Sequence, residues 1–214
     1  MHKIKIIGRK LKNFINPKEA LFFTSDLLEY QILKFGWSIG KYSYGAPDVL
    51  GGDIAKLHIG SFCSIAGQCT IILSTHNYRH ASTYPFQMIS SNGPISPIPL
   101  PDRHAITRGD VFIGNDVLMG RHSTIMPGCV IGDGAVIANS SVVTQNVPPY
   151  AIVAGIPAKI IKFRFNPEQI ESLLEVRWWD LPESIIFSNK EIFQLEINEF
   201  LLRLNELVEK YKLT

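Results

Sequence analysis

Three of the six histidines, His76, His80 and His104, fall in one proline-rich segment between about Leu73 and Val111. An imidazole titrates near neutral pH, so it can take a proton from a reacting group and return it. The segment also carries five prolines, at positions 85, 94, 97, 99 and 101, which stiffen it without building regular structure. Long loops in compact domains are usually functional, so we expect the chemistry to lie here.

The sequence on both sides of this segment follows a six-residue repeat. The first place of each unit is a branched or flexible apolar residue, a small residue follows most of them, and the fifth place takes only sizes that pack inward. The first places are Ile113, Met119, Ile125, Ile131, Ile137 and Val143, and the fifth places are Val117, Ser123, Cys129, Ala135, Ser141 and Val147. The same register is present at 39–44 and 59–70.

A period of six fits neither the spacing of an α-helix nor the alternation of an ordinary strand. It predicts a mainly β fold, a parallel β-helix, in which each unit forms one face and three units make a triangular coil of about 18 residues. A β-sandwich with accidental spacing is the alternative, but it would not keep phase through six successive units. The proline-rich segment, 73–111, interrupts the repeat and is predicted to protrude from the coils as a loop.

The three cysteines are Cys63, Cys69 and Cys129, and each falls at the fifth place of a unit. An odd count prevents full pairing within one chain, and a small thiol suits an inward position. We interpret them as core residues. A catalytic cysteine is disfavoured because an inward thiol meets no substrate.

Helices are predicted at both ends of the coils. Apolar residues recur at helical spacing from Pro17 to about Phe35, and Asn166-Pro167-Glu168-Gln169 is typical of a helix start. Ser188-Asn189-Lys190-Glu191 reads as a second capping box, before an apolar stripe that runs from Phe193 to Tyr211. We therefore predict an N-terminal helical segment at 1–36, a β-helix at 37–165 and C-terminal helices at 166–214.

Composition and charge argue against two classes of function, nucleic-acid binding and membrane spanning. The chain has 214 residues, 46% of them hydrophobic, and a net charge of +2, which is too balanced to indicate nucleic-acid binding. No apolar run reaches the roughly 18 residues needed to span a bilayer, and the basic start has no signal-peptide core. We expect a cytoplasmic protein without a membrane span.

The motifs resemble a known family. Residues 109–165, the loop opening at 76–86, the segment 39–45 and the late segment 174–180 are together similar to the xenobiotic (streptogramin and chloramphenicol) branch of the hexapeptide-repeat acetyltransferases. The resemblance covers about residues 37–182. It implies a left-handed β-helix, a homotrimer, acetyl-CoA as donor and an active site in each of three clefts between subunits.

Acetyl transfer to a hydroxyl needs a base for the hydroxyl proton, a donor for the oxyanion and a cleft that aligns both substrates. The resemblance implies that His76 is this base. His80 is a poorer candidate by the same spacing, and no motif raises His58, His104 or His122.

The resemblance also assigns the donor contacts. Positions that match those of related enzymes along the coil are Gly120, Arg121, Ala138, Asn139 and Thr144, followed by Lys159 and Lys162 near the CoA phosphates. The lysines could also be ordinary solvated charges. The chain departs from the family at Leu118, where tryptophan is usual, and at Gln145, where lysine is frequent.

The acceptor is expected to contact Tyr42, Tyr44, Asp48 and Tyr84, under a roof formed by residues 84–103. The tyrosines at the coil corner could instead pack against the N-terminal helix, and the residues alone do not decide between these roles.

The leading functional hypothesis is an acetyl-CoA-dependent O-acetyltransferase that acts on a small hydroxylated acceptor, either an antibiotic or a sugar of a surface polysaccharide or its precursor. A metal-dependent β-helix lyase of the carbonic-anhydrase type is a second hypothesis, since His76 and His80 invite a metal. Three well-placed histidines on adjoining coils are not evident, so no metal is expected. A non-catalytic hexapeptide-repeat module is the third.

Overall fold

The computed structural model describes residues 23–84 and 105–211. Its strands are β1 (Ser38–Ile39), β2 (Asp48–Leu50), β3 (Leu57–Ile59), β4 (Ser64–Ile65), β5 (Thr70–Ile72), β6 (Thr75–His76), β7 (Ala105–Ile106), β8 (Val111–Ile113), β9 (Leu118–Met119), β10 (Thr124–Ile125), β11 (Val130–Ile131), β12 (Val136–Ile137), β13 (Val142–Val143), β14 (Ala151–Gly155) and β15 (Ala158–Phe163). Its α-helices are α1 (Thr24–Leu27), α2 (Glu29–Phe35), α3 (Pro167–Val176), α4 (Glu183–Ser188) and α5 (Ile197–Tyr211), with 3₁₀ turns at Trp178–Asp180 and Lys190–Gln194.

Three stacks of short parallel strands form the faces of a triangular prism. Sheet 1 contains β1, β3, β8 and β11, and sheet 3 contains β2, β5, β10 and β13. Sheet 2 contains β4, β9, β12 and β14, and β15 closes it as an antiparallel edge strand. The chain visits sheets 1, 2 and 3 in turn, which confirms the predicted parallel β-helix.

The pairing register confirms the length of the coil. Ile113 lies beside Ile131 in sheet 1, Met119 beside Ile137 in sheet 2, and Ile125 beside Val143 in sheet 3. Corner residues on the same two coils are likewise 18 positions apart. Each six-residue unit is therefore one face, and three units complete one turn.

The repeat positions fill the interior of the prism. All twelve predicted first and fifth places between 113 and 147 are buried, and none is more than 4% exposed. The three cysteines are buried too, as predicted. Burial raises the pKa of each thiol, that of Cys63 to about 11, so these groups stay protonated and poorly reactive at neutral pH.

Close packing of successive coils explains the small residues at the second place. A Cβ on Gly114 would lie 2.6 Å from Asp133 Oδ1 and 2.7 Å from the Asp133 backbone nitrogen. Asp133 links the two successive coils at this corner. Its Oδ1 accepts hydrogen bonds from the backbone N–H of Asn115, at 2.6 Å, and from the Asn115 side-chain amide, at 2.9 Å. Glycine is needed because two backbones meet there.

The helices at the two ends agree with the sequence in part. The predicted N-terminal helix begins at Pro17, and its described part is α1 and α2; the rest lies outside the described residues. The Asn166 cap is confirmed, since Asn166 Oδ1 accepts from the Gln169 N–H at 2.9 Å and the Gln169 side chain accepts in return. No helix in the described ranges is long and apolar enough to cross a membrane.

The second predicted cap is wrong. Residues Lys190–Gln194 form a 3₁₀ turn without a side-chain cap, Leu195 is extended, and α5 begins only at Ile197. The cause is packing. Ile192 is buried in an aromatic cluster together with Tyr150 of the prism, and this contact fixes the turn in place separately from α5. This second core joins the C-terminal helices to the prism.

Candidate active site

The predicted catalytic loop leaves the prism at the corner between sheets 3 and 1. Its base is a short antiparallel ladder of β6 and β7, in which Thr75 pairs with Ile106 and His76 with Ala105. The predicted roof over the acceptor, from residue 85 onward, lies outside the described residues, as does His104. The chain then re-enters sheet 1 at Val111.

His76 stands at the base of this loop with an exposed side chain. Its Nδ1 is 2.8 Å from the carbonyl oxygen of Thr83. A carbonyl only accepts hydrogen bonds, so Nδ1 must be the donor, and in the neutral imidazole the lone pair is then on Nε2. The contact both orients the ring and selects the tautomer that a general base at Nε2 requires.

His80 has different surroundings. Its Nε2 is 2.9 Å from Asn77 Nδ2, and an amide N–H₂ donates, so this ring nitrogen already accepts a hydrogen bond within the loop. The Nε2 lone pair that a base needs is thus engaged in His80. This hydrogen bond within the loop accords with the weaker candidacy of His80.

The other described histidines lie on the coils. His58 is on the outer surface of sheet 1, where it stacks on Phe112 with 4.5 Å between ring centroids and hydrogen-bonds to Ser38 at 2.7 Å. His122 occupies a coil corner with a positive φ of 60°. Within residues 23–84 and 105–211, no group of three or more histidine, cysteine or acidic side chains is arranged to hold a metal ion.

Four of the predicted donor residues stack at the corner between sheets 2 and 3. Gly120 and Arg121 lie on one coil, and Ala138 and Asn139 lie directly above them on the next. The Asn139 side chain closes the stack, because its Oδ1 accepts from the Arg121 backbone N–H at 2.8 Å. A Cβ on Gly120 would meet Asn139 at 2.6 Å, so this wall needs glycine.

The predicted phosphate contacts lie on the closing strand of sheet 2. Lys159 pairs with Ala154 and Lys162 with Ile152 in the antiparallel ladder of β14 and β15. Ala154 follows Val153, whose carbonyl accepts from the Ala138 N–H at 2.9 Å. Lys159 is therefore one coil beyond the stack of Ala138 and Asn139, and both lysines are exposed.

Thr144 occupies a different corner, the one where the loop leaves the prism. Arg108, in the returning part of the loop, donates from Nη1 to the Thr144 carbonyl at 3.1 Å. The outer surface of sheet 3 thus lies between the stack that starts at Gly120 on one side and the base of the loop on the other. Asp48, Thr70 and Thr124 follow one another across this surface.

Tyr42 and Tyr44 lie away from that surface. Tyr42 is at the corner between sheets 1 and 2, where it stacks on Phe62 with 5.1 Å between centroids and donates from its hydroxyl to Glu183 Oε2 at 2.6 Å. This bond is the main cause that raises the pKa of Tyr42, and it also lowers the pKa of Glu183, after the hydrogen bond from Lys41.

Tyr44 is partly exposed, and its backbone forms an isolated parallel β-bridge with Ser64 in sheet 2. Tyr42 also meets Phe23, the N-cap residue of α1, edge to face with 5.9 Å between ring centroids, and Tyr44 pairs with Phe23 in an isolated antiparallel bridge. Both tyrosines therefore contact the N-terminal helical segment, and their contact with the acceptor stays a prediction.

Comparison with known proteins assigns the chain to a family. Residues 110–145 match the family described as bacterial transferase hexapeptide (six repeats). A chloramphenicol acetyltransferase from Morganella morganii is 40% identical over 189 residues, which are 80% of this chain and 87% of that protein. The chain belongs to the hexapeptide-repeat acetyltransferases of the xenobiotic family. It is an acyltransferase.

Two further similarities accompany this assignment. A probable macrolide acetyltransferase from Lysinibacillus sphaericus is 42% identical over 163 residues, which are 73% of this acetyltransferase and 84% of that protein. Among solved structures, a hexapeptide-repeat acetyltransferase from Vibrio cholerae is 20% identical, with a TM-score of 0.49 over 76% of this chain and 94% of the other.

The structure of this acetyltransferase adds residues that the sequence did not single out. Gln68 accepts from both Nε and Nη2 of Arg121, at 3.0 and 2.8 Å, and holds the guanidinium against the coil. Thr83, which contacts His76, and Arg108, which contacts Thr144, are two more such residues. No local pattern marks these partners, because 53 residues separate Gln68 from Arg121 and 36 separate Arg108 from Thr144.

Proposed function

We propose that this acetyltransferase moves the acetyl group of acetyl-CoA to a hydroxyl of a small acceptor, with His76 as general base. The observation that carries the proposal is the hydrogen bond from His76 Nδ1 to the Thr83 carbonyl, which places the lone pair of the neutral ring on Nε2. Nε2 takes the proton as the acceptor oxygen attacks the thioester carbonyl. The tetrahedral intermediate then collapses, the C–S bond breaks, and the imidazolium returns the proton to the CoA sulfur.

We infer that acetyl-CoA lies along the corner between sheets 2 and 3. Gly120 and Ala138 present little side chain there, so an extended pantetheine arm can approach the backbone. Lys159 and Lys162 are exposed cations at the end of the same stack and suit the phosphates. Gln68 supports this arrangement by fixing Arg121, whose guanidinium keeps further N–H groups for the ligand.

We infer further that the active enzyme is a trimer of left-handed β-helices, and that each site is completed by two chains. Sheets 1 and 2 carry large apolar side chains on their outer surfaces, among them Phe112, Leu118 and Val130, each exposed by more than 40%. Exposed apolar surface of this kind marks interfaces between proteins. The coil unit in this assembly is residues 37–165, preceded by α1 and α2 and followed by α3, α4 and α5. Sedimentation equilibrium is expected to give the trimer mass at micromolar concentration, and a stable monomer would refute this part.

For the acceptor we favour an antibiotic hydroxyl over a sugar hydroxyl. The two relatives described above, at 40% and 42% identity, carry the names chloramphenicol and macrolide acetyltransferase. On the enzyme side, Asp48 and the polar surface of sheet 3 stand beside the base of the loop, while Tyr84 belongs to the loop itself and is half exposed. Tyr42 and Tyr44 would contact an acceptor only from another face of the prism.

The test is release of CoA thiol from acetyl-CoA in the presence of chloramphenicol, a macrolide, a group A streptogramin or a galactoside, followed with Ellman's reagent. The buried cysteines keep the protein background low. Acceptor-dependent release with a mass gain of one acetyl group on the drug is the expected result. Release with the galactoside alone would move the acceptor to sugars, and no release with any acceptor would refute the proposed activity.

A further inference from the structure

The side chain of Arg108 joins the predicted catalytic loop to a coil further along the prism. Arg108 follows β7, the strand by which the loop returns, and its Nη1 donates to the Thr144 carbonyl at 3.1 Å. The loop leaves the prism after β5, and β5, β10 and β13 are successive neighbours in sheet 3. Thr144 directly follows β13, so Arg108 reaches two coils along the corner between sheets 3 and 1.

The backbone around Arg108 is packed against the coil between these two. A Cβ on Gly128, which follows β10, would lie 2.6 Å from the Arg108 carbonyl oxygen and 2.8 Å from the Arg108 Cβ. Thr107 Oγ1 accepts a hydrogen bond from the Gly109 backbone N–H at 3.0 Å and closes a turn around Arg108. Gly109 has a φ of 113°, which residues with a side chain rarely adopt. Residues 107–109 are therefore held in place, and the Arg108 side chain extends from them to Thr144.

This segment continues directly into the strand that pairs with His76. In the ladder of β6 and β7, Ile106 lies opposite Thr75 and Ala105 lies opposite His76. A two-stranded ribbon is only marginally stable by itself, and this one has two residues in each strand. The ladder therefore needs an anchor on the prism, and Arg108, two residues beyond Ile106, supplies one.

His76 needs such an anchor because its other contact lies within the loop. The hydrogen bond to the Thr83 carbonyl orients the ring relative to the loop, but Thr83 moves wherever the loop moves. A general base must lie within about 2.6–3.2 Å of the atom whose proton it takes, and a misplacement of about 1 Å can cost on the order of 10²-fold in rate. A contact between the loop and the coils must therefore set the distance from His76 to the bound donor.

We propose that Arg108 is a positioning residue for His76. Its hydrogen bond to the Thr144 carbonyl holds β7 on the prism, β7 holds β6 through backbone pairing, and β6 carries His76. This role rests on the proposed function of His76 as general base. Arg108 acts through β7 and touches no reacting atom. Loss of its guanidinium lowers the fraction of enzyme in which His76 is in place, and leaves acetyl-CoA binding at the corner between sheets 2 and 3 unchanged.

The test is a double-mutant cycle of Arg108→Met and His76→Ala, measured as steady-state CoA release with the acceptor found by the screen. Methionine keeps an unbranched stem but has no N–H donor. Arg108→Met alone should lower kcat by about 5- to 30-fold, the range for one exposed hydrogen bond from a charged donor, with an unchanged KM for acetyl-CoA. In His76→Ala the same change should cost less than about 2-fold, because no base is left to position. Arg108→Lys retains a donor for the carbonyl and should recover part of the lost turnover.

Arg203→Met is the matched control, because Arg203 on α5 also donates from Nη1 in an exposed contact, to Glu206 at 3.2 Å. It should keep the wild-type kcat. Thermal melts and sedimentation show whether each variant remains folded and associated as the wild type is.

Four results would overturn the role of Arg108 alone: wild-type turnover in Arg108→Met, a raised KM for acetyl-CoA in place of a lowered kcat, equal fold losses with and without His76, or no recovery in Arg108→Lys. Wild-type turnover in His76→Ala would instead refute the proposed general base, and the role of Arg108 with it.

Discussion

Replacing His76 by alanine separates proton transfer from every other role of the loop. The side chain is exposed and the β6–β7 ladder uses only backbone atoms at this position, so the main loss is the hydrogen bond to Thr83, and the free energy of unfolding should fall by about 0.5–1.5 kcal/mol. A general base contributes roughly 10²- to 10⁴-fold to turnover. The expected loss in kcat is therefore about 100- to 10,000-fold, or ~3–5 kcal/mol of activation free energy.

The assay is steady-state CoA release with the acceptor found by the screen, at saturating and at varied acetyl-CoA. The KM for acetyl-CoA should stay nearly constant in His76→Ala, because the donor corner lies across sheet 3 from the loop. His80→Ala is the matched control, since it removes the same side chain from the same loop but one whose Nε2 already accepts from Asn77. Its kcat should fall much less.

Two results would refute the reasoning. If His76→Ala kept more than about a tenth of wild-type turnover, His76 would not be the general base. If His80→Ala lost as much turnover as His76→Ala, the hydrogen bond to Thr83 would not distinguish the base. Thermal melts and sedimentation of both variants check that each loss is chemical.

Three further predictions test the donor corner and the packing. Lys159→Ala together with Lys162→Ala should raise the KM for acetyl-CoA several-fold with little change in kcat, because phosphate contacts act equally in ground and transition states; Lys210→Ala on α5 should leave both constants unchanged. Ellman's reagent should label none of the three buried thiols in the native protein within minutes and all three in urea. In urea unfolding at one fixed protein concentration, Gly114→Ala should destabilise by about 1–3 kcal/mol because its Cβ meets the next coil. Gly67→Ala meets nothing within 4 Å and should be neutral or slightly stabilising, so equal midpoints for the two variants would contradict this explanation.

The coil was predictable because its determinants are local. Each unit carries its own inward residue, such as Ile131, and its own small residue, such as Gly132, so a window of a few units already fixes period and pairing. The loop was predictable as an interruption for the same reason. The 3₁₀ turn at Lys190–Gln194 was not predictable, since Ser188 to Glu191 has the letters of a capping box but Ile192 is buried in the aromatic core.

The candidate site was harder to predict because it depends on contacts between coils. The resemblance could point to His76, but only the structure supplies the Thr83 carbonyl that sets its tautomer. Tyr42 also depends on a distant partner: its hydroxyl donates a hydrogen bond to Glu183, which is 141 residues away, and no pattern around Tyr42 encodes that partner. Residues whose role depends on distant partners can be proposed from sequence and placed only by the fold.

The strand pairing across the loop would allow the proposed donor site and the proposed acceptor site to vary separately. Ile71 before the loop pairs directly with Ile125 after it, so the coils stack as if nothing had been inserted. The donor corner at Gly120 and Ala138 belongs to uninterrupted coils and is held by their packing. In the described part of the chain, β6, β7 and the hydrogen bond from Arg108 to the Thr144 carbonyl anchor the loop at its base. Changes within the loop should therefore alter the acceptor while acetyl-CoA affinity is kept, because no coil has to move.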